Sequence, residues 1–187
     1  MKKLPLILLS LLACPAFATH ERAGEITYKH LSGNRYEISI TTYTRGESNL
    51  ADRCSLMVYF GDGDSALVCR SNGLSGGEDP WKAKCTSNPN CSNAGMGEWG
   101  NGLKDKNIKK NIYTTTHTYP GAGVYVIHMT DPNRNADIVN VDPLTPFSIQ
   151  DTLVINPFLG PNSSPVLVNP PIDIACIGKI FIHNAGA

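Results

Sequence analysis

The chain alternates apolar and polar residues with period two over most of its length, the pattern of strands with one buried face. Glu25 to His30 alternates. Leu31-Ser32-Gly33-Asn34 is turn chemistry, and Arg35 to Thr44 alternates again with Tyr36, Ile38, Ile40 and Thr42 on one face. These two segments predict a hairpin. Leu56 to Phe60 and Ala66-Leu67-Val68 are apolar, and Gly61-Asp62-Gly63-Asp64 lies between them. Gly supplies positive φ and Asp bonds its own backbone, so a tight strand-to-strand turn is expected there. Ile108 to Thr118, Val124 to Met129 and Phe147 to Ile155 read as three further strands, the first two joined through Tyr119-Pro120-Gly121-Ala122-Gly123. On the Val124 strand, Val124, Val126 and His128 share one side and Tyr125 takes the other. No segment after the first 18 residues has a helical period. Seven short strands punctuated by Gly and Pro predict an all-β, antiparallel β-sandwich.

Two regions break the pattern. Ser71 to Asn107 has no apolar period, is rich in Gly, Asn and Ser, and carries Trp81 and Trp99 as its large apolar residues. It is expected to be a long inserted loop. The Pro-rich Asn156 to Asn162 marks the end of the domain, which spans residues 19–156. Residues 157–187 contain two strand-like runs, Val166-Leu167-Val168 and Lys179 to His183, too few to bury a second core.

The first 18 residues have the order of an export signal: Lys2 and Lys3, apolar Leu4 to Leu12, then Ala16-Phe17-Ala18. Cleavage after Ala18 is the expectation. Leu11-Leu12-Ala13-Cys14 offers a second reading, a lipid anchor on Cys14. Either way the chain is expected outside the cell, secreted or on the outer surface. No later segment is long and apolar enough for a transmembrane helix. Sixteen basic and sixteen acidic residues cancel, so nucleic acid is not an expected partner.

Six cysteines are present, and Cys14 belongs to the signal, leaving Cys54, Cys69, Cys85, Cys91 and Cys176. An oxidising compartment makes disulfides the default. Cys85 and Cys91 bracket a short loop, and Cys54 and Cys69 flank the predicted hairpin, so these are the expected pairs, with Cys176 left over. No spacing suits zinc.

Candidate chemistry is sparse. Asp62 and Asp64 are calcium candidates, since hard oxygen ligands suit that ion, but further ligands at EF-hand spacing are missing, and the turn reading competes. His20, Glu21 and Arg22 sit at a terminus, a poor place to preorganise catalysis. His30, His117, His128 and His183 lie in strands with no nucleophile motif nearby. Trp81 and Trp99 are candidates either to contact a ligand or to plug their loop onto the sandwich. No cofactor and no catalytic residue is expected.

Phe60-Gly61-Asp62-Gly63 followed by His117-Thr118-Tyr119-Pro120-Gly121-Ala122-Gly123-Val124-Tyr125-Val126-Ile127 resembles the polycystic-kidney-disease (PKD) type of immunoglobulin-like domain. That family commonly has Trp where Phe60 stands, and its two motifs are closer together, which makes residues 71–107 an insertion. Thr19 to Tyr28, Asp131-Pro132-Asn133-Arg134-Asn135 and Ile155 to Gly160 are similar to the N-terminal regions of large Bacteroidota surface proteins of the gliding motility-associated C-terminal domain family. Asn162-Ser163-Ser164-Pro165-Val166 looks like the opening strand of a cadherin-like repeat. The resemblance implies a piece of a longer protein, whose sorting domain for type IX secretion would lie beyond Ala187. It implies a non-catalytic, extracellular structural or adhesive module whose partner is an unidentified extracellular protein or glycan. The alternative is an accessory binding module of a secreted carbohydrate-active enzyme.

Overall fold

The computed structural model describes residues 21–46, 53–73, 89–91, 94, 97–98, 107–132, 134–135, 138–142, 145–170 and 177–181. Seven strands follow in order: β1 (Glu21–Ser32), β2 (Arg35–Arg45), β3 (Ser55–Tyr59), β4 (Ser65–Cys69), β5 (Ile108–Thr118), β6 (Gly123–Asp131) and β7 (Phe147–Ile155). They form two antiparallel sheets, one ordered β1-β2-β5 and one ordered β4-β3-β6-β7. The all-β sandwich expected from the alternation is present, and no described helix is long and apolar enough to cross a membrane.

Alternation decides which side chains meet. Ile26, Tyr28, Tyr36, Ile38, Ile40 and Tyr113 project from the first sheet. Leu56, Val58, Val68, Ile127, Met129 and Leu153 project from the second, and together they form one buried cluster. Each large apolar side chain buried this way contributes about 1.5–3 kcal/mol. Register is thereby fixed, because a one-residue slip would turn every core residue outward. Tyr125 faces this core, with Val124 and Val126 on the outside.

β4 ends by changing sheets. The Arg70 N–H donates to the Cys54 carbonyl beside β3 at 2.8 Å, while Arg70 also bridges to Tyr113 of β5. One residue later the Ser71 N–H donates to the Ile112 carbonyl at 2.8 Å. A strand that passes from one sheet to the other closes a corner of a sandwich.

The Pro-rich segment after β7 stays on the domain. The Ser164 N–H donates to the Tyr28 carbonyl at 2.9 Å, and Ser164 Oγ accepts from the Tyr28 N–H at 2.8 Å. Ser163 Oγ accepts from the His30 N–H at 3.1 Å. These bonds satisfy part of the free edge of β1, a position that otherwise invites pairing with another chain. The strand-like run Val166-Leu167-Val168 forms no strand; Pro165 has no N–H to give to a ladder.

Candidate functional site

The β3–β4 turn is the first place where titratable groups converge. Gly61 and Gly63 both have positive φ, 88° and 101°. A Cβ on Gly61 would lie 2.5 Å from the Val126 amide nitrogen, so the turn also requires the smallest residue there. Asp62 Oδ1 accepts from the Asp64 N–H at 3.1 Å, and the Phe60 N–H donates to the Asp64 carbonyl at 3.0 Å. Asp62 Oδ2 lies 2.7 Å from His117 Nε2 on β5, in the opposite sheet. His117 stacks on Phe60, with centroids 4.0 Å apart and planes 6° apart, and meets Tyr119 edge-on at 4.7 Å. Tyr119 lies 4.4 Å from Tyr125, whose hydroxyl donates to the Gly121 carbonyl at 3.0 Å.

This group ties both sheets together at one end of the sandwich. Burial pushes the Asp62 carboxyl upward, but the His117 hydrogen bond, the Asp64 N–H and the His117 charge outweigh it and hold it below the usual carboxylate range. Burial, and then the Asp62 charge, drive the Tyr119 phenol well above its ordinary value. Asp62, Asp64 and His117 bring three ligand atoms within 4.8 Å of one another. Asp62, however, already spends both carboxylate oxygens on the protein, one on His117 and one on the turn. The geometry is that of a turn locked to the facing sheet.

The opposite end carries the long connections, residues 46–54, 70–107 and 132–146, whereas Gly33–Asn34, Phe60–Asp64 and Tyr119–Ala122 turn tightly. Polar groups are buried at the feet of those connections. Arg53 Nε donates to Asp131 Oδ2 at 2.6 Å, and Asp131 is 3% exposed. The Asp131 hydrogen bond raises the Arg53 guanidinium above its usual value despite burial, with help from the charges of Asp131 and Glu21. Glu21 is itself buried; its backbone forms a parallel β-bridge with Arg134, and its carbonyl accepts from the Asn135 N–H at 2.9 Å. Buried Arg70 donates to Asn111 Oδ1 at 2.9 Å, and Asn111 Nδ2 donates to Thr44 Oγ1 at 3.0 Å. The Tyr113 hydroxyl donates to the Arg53 carbonyl at 2.6 Å. Asn72 clamps β5 by accepting from the Ile112 N–H at 2.8 Å and donating to the Lys110 carbonyl at 2.9 Å. Glu98 pairs with Lys110 through two backbone bonds of 2.8 Å.

A disulfide joins Cys69 to Cys91, with Cα atoms 5.5 Å apart. This corrects both expected pairings, Cys54–Cys69 and Cys85–Cys91. The reason is register. Ser55, not Cys54, stands opposite Cys69, and Cys54 lies opposite Arg70, one step along. Side chains one step apart on paired strands leave on opposite faces. Cys54 is disulfide-bonded too, but not to Cys69. It shares a small buried cluster with Cys91, against which Cys69 and Ala94 pack.

Of the residues singled out from sequence, Asp62 and Asp64 share the turn, and Cys69 and Cys91 are joined. Cys85, Trp81, Trp99 and the first 18 residues, with Cys14, lie outside the described residues. The meeting of Glu21, Arg53 and Asp131 escaped sequence reasoning because the three come from segments far apart in the chain.

No protein-family model matches the chain, and neither a curated protein nor a solved structure matches it.

Proposed function

We propose that this chain is a non-catalytic binding module of immunoglobulin-like, PKD-type architecture, exported to the cell exterior, where it serves a structural or adhesive role. The observation that carries the reading is the asymmetry of the two ends. One end is closed by tight turns. The other anchors every long connection through Cys69–Cys91, Arg53–Asp131 and the Asn72 clamp. Loops on a rigid scaffold are where sandwiches carry recognition.

Three further features support the architecture. Seven strands in sheets of three and four match the strand count of the constant-type immunoglobulin sandwich, with β4 moved to the sheet of β3. The Tyr125 hydroxyl reaches back four residues to Gly121 near the start of β6, the arrangement of a tyrosine corner. His117, in the only cluster of ligand-type side chains found among the described residues, is occupied by packing between Phe60 and Tyr119 and by Asp62.

The test is a pair of screens on the purified chain. Against immobilised glycans and extracellular proteins, binding is expected, and it should be lost when residues 74–106 are replaced by a short Gly-Ser linker. In a glycosidase, esterase and protease screen, no turnover is expected. Turnover that a single Asp131→Asn or His117→Gln change removes would overturn the reading, as would binding that survives loop replacement.

A further inference from the structure

The outer face of the four-stranded sheet departs from the usual rule for a sandwich, in which inward apolar residues alternate with outward polar ones. Met57 and Tyr59 of β3, Leu67 of β4, Val124 and Val126 of β6, and Val154 of β7 all point outward and are 38–66% exposed. Met57 stands opposite Leu67 and Val124 opposite Val154, two apolar cross-strand pairs at either end of the face, with Tyr59 and Val126 between them. Tyr59 stacks on His128, centroids 4.7 Å apart and planes 8° apart, where β3 meets β6 in the middle of the sheet. The remaining outward positions on these strands are Ser, Thr and Gln, with Cys69 at the border in its disulfide; none is Asp, Glu, Lys or Arg.

The three-stranded sheet provides the contrast. Its outward positions include Glu25, Lys29, Arg35, Glu37 and Lys110. Charge is therefore excluded from one face of this molecule and spread over the other. Uncharged apolar centres with hydroxyl-bearing rims are the composition of interface cores, where charged residues are depleted.

We infer that this face is a self-association surface, and that its occupant is the same face of a second copy, packed sheet on sheet about a two-fold axis. Two arguments select that occupant. A face without charge has nothing to complement in a charged partner and nothing to repel its own copy. Two equally twisted sheets pack on each other about 10 Å apart, so a sheet is a natural partner for a sheet. Area then sets the strength. Four strands about 4.8 Å apart, with the longest residues rising about 3.3 Å each, give a face of roughly 500 Å². Standard stable interfaces bury about 800 Å² per partner. The dimer is therefore weak and concentration-dependent, with a dissociation constant of about 10 μM to 1 mM.

Sedimentation equilibrium of the purified chain from about 10 μM to 1 mM reads this directly. A reversible monomer–dimer equilibrium is expected. Val126→Lys and Val126→Glu, at a half-exposed site near the centre of the face, should each weaken it at least tenfold without lowering the melting temperature. Mixing the two variants should restore association as a heterodimer. Lys29→Glu, on the opposite sheet, should leave it unchanged. A parent that stays monomeric at 1 mM overturns the inference, as does a dimer indifferent to both Val126 changes. A monomer whose binding to a glycan or another protein depends on Val126 would assign the face to that ligand and overturn it equally. Failure here leaves the loop-end reading standing, because that reading depends on residues 74–106.

Discussion

At Gly61 and Gly63 the same residue type answers two different demands. Gly61 combines positive φ with contact against the Val126 backbone, whereas a Cβ on Gly63 would meet nothing within 4 Å. Gly63→Ala should therefore cost about 1 kcal/mol, the conformational term alone. Gly61→Ala should cost about 3 kcal/mol or more, because backbone must also move. Equal melting temperatures for the two variants would refute the distinction. Tyr125 is 8% exposed while Val124 is 66% exposed. Tyr125→Ala should cost about 3–5 kcal/mol and Val124→Ala under about 0.5 kcal/mol, which denaturant titration resolves. Asp62 carries the clearest pH signature. Its folded carboxyl is held below the ordinary aspartate value of about 3.9. The stabilisation is thus complete above that pH and is lost as pH falls through the lower, folded value. The melting-temperature gap between the parent and Asp62→Asn should be widest above about pH 5 and close toward pH 2. A gap independent of pH would show that the Asp62–His117 contact does not depend on the carboxylate charge.

Among the elements, β4 and its exit do the most to organise the loop end. The strand passes to β5 at Arg70, and the disulfide joins its last residue to Cys91, 22 residues on. Removing that cross-link by Cys69→Ala with Cys91→Ala should cost about 3 kcal/mol, as expected for a loop of this length. Non-reducing peptide mapping should find Cys69 linked to Cys91 and not to Cys54. The ion pair between the start of β3 and the end of β6 is asymmetric, with Arg53 37% and Asp131 4% exposed at the side chain. Arg53→Ala leaves a buried carboxylate behind and should cost about 3 kcal/mol, measurable by denaturant unfolding; a change below 1 kcal/mol would mean that solvent reaches Asp131.

For the whole molecule, the architecture separates tasks by location. The His117–Asp62 lock and the tight turns close one end, the long connections leave from the other, and an uncharged sheet face lies between them. The docked segment around Ser163 and Ser164 occupies one sheet edge. Substituting Ser164 by Pro, which removes both a hydroxyl acceptor and an N–H donor, should free the β1 edge and raise aggregation on heating. Light scattering during a thermal ramp reads that outcome, and unchanged scattering would show that the segment does not guard the edge.

Period-two alternation by itself determined the strands, which residues of each share a face, and the Gly-Asp-Gly turn, because each depends on neighbours within a few residues. Ile108–Thr118 and Phe147–Ile155 fall where the pattern placed them, whereas on β6 the alternation only set Tyr125 opposite Val124 and Val126, and packing turned Tyr125 inward and the two valines out. The tertiary structure alone decided the disulfide partner of Cys69, the meeting of Glu21, Arg53 and Asp131, and the docking of Ser164 on β1. Each depends on register or on which sheet a strand joins. Those choices are made by packing across the sandwich, between residues far apart in the chain, and a one-residue difference in register was enough to separate Cys54 from Cys69.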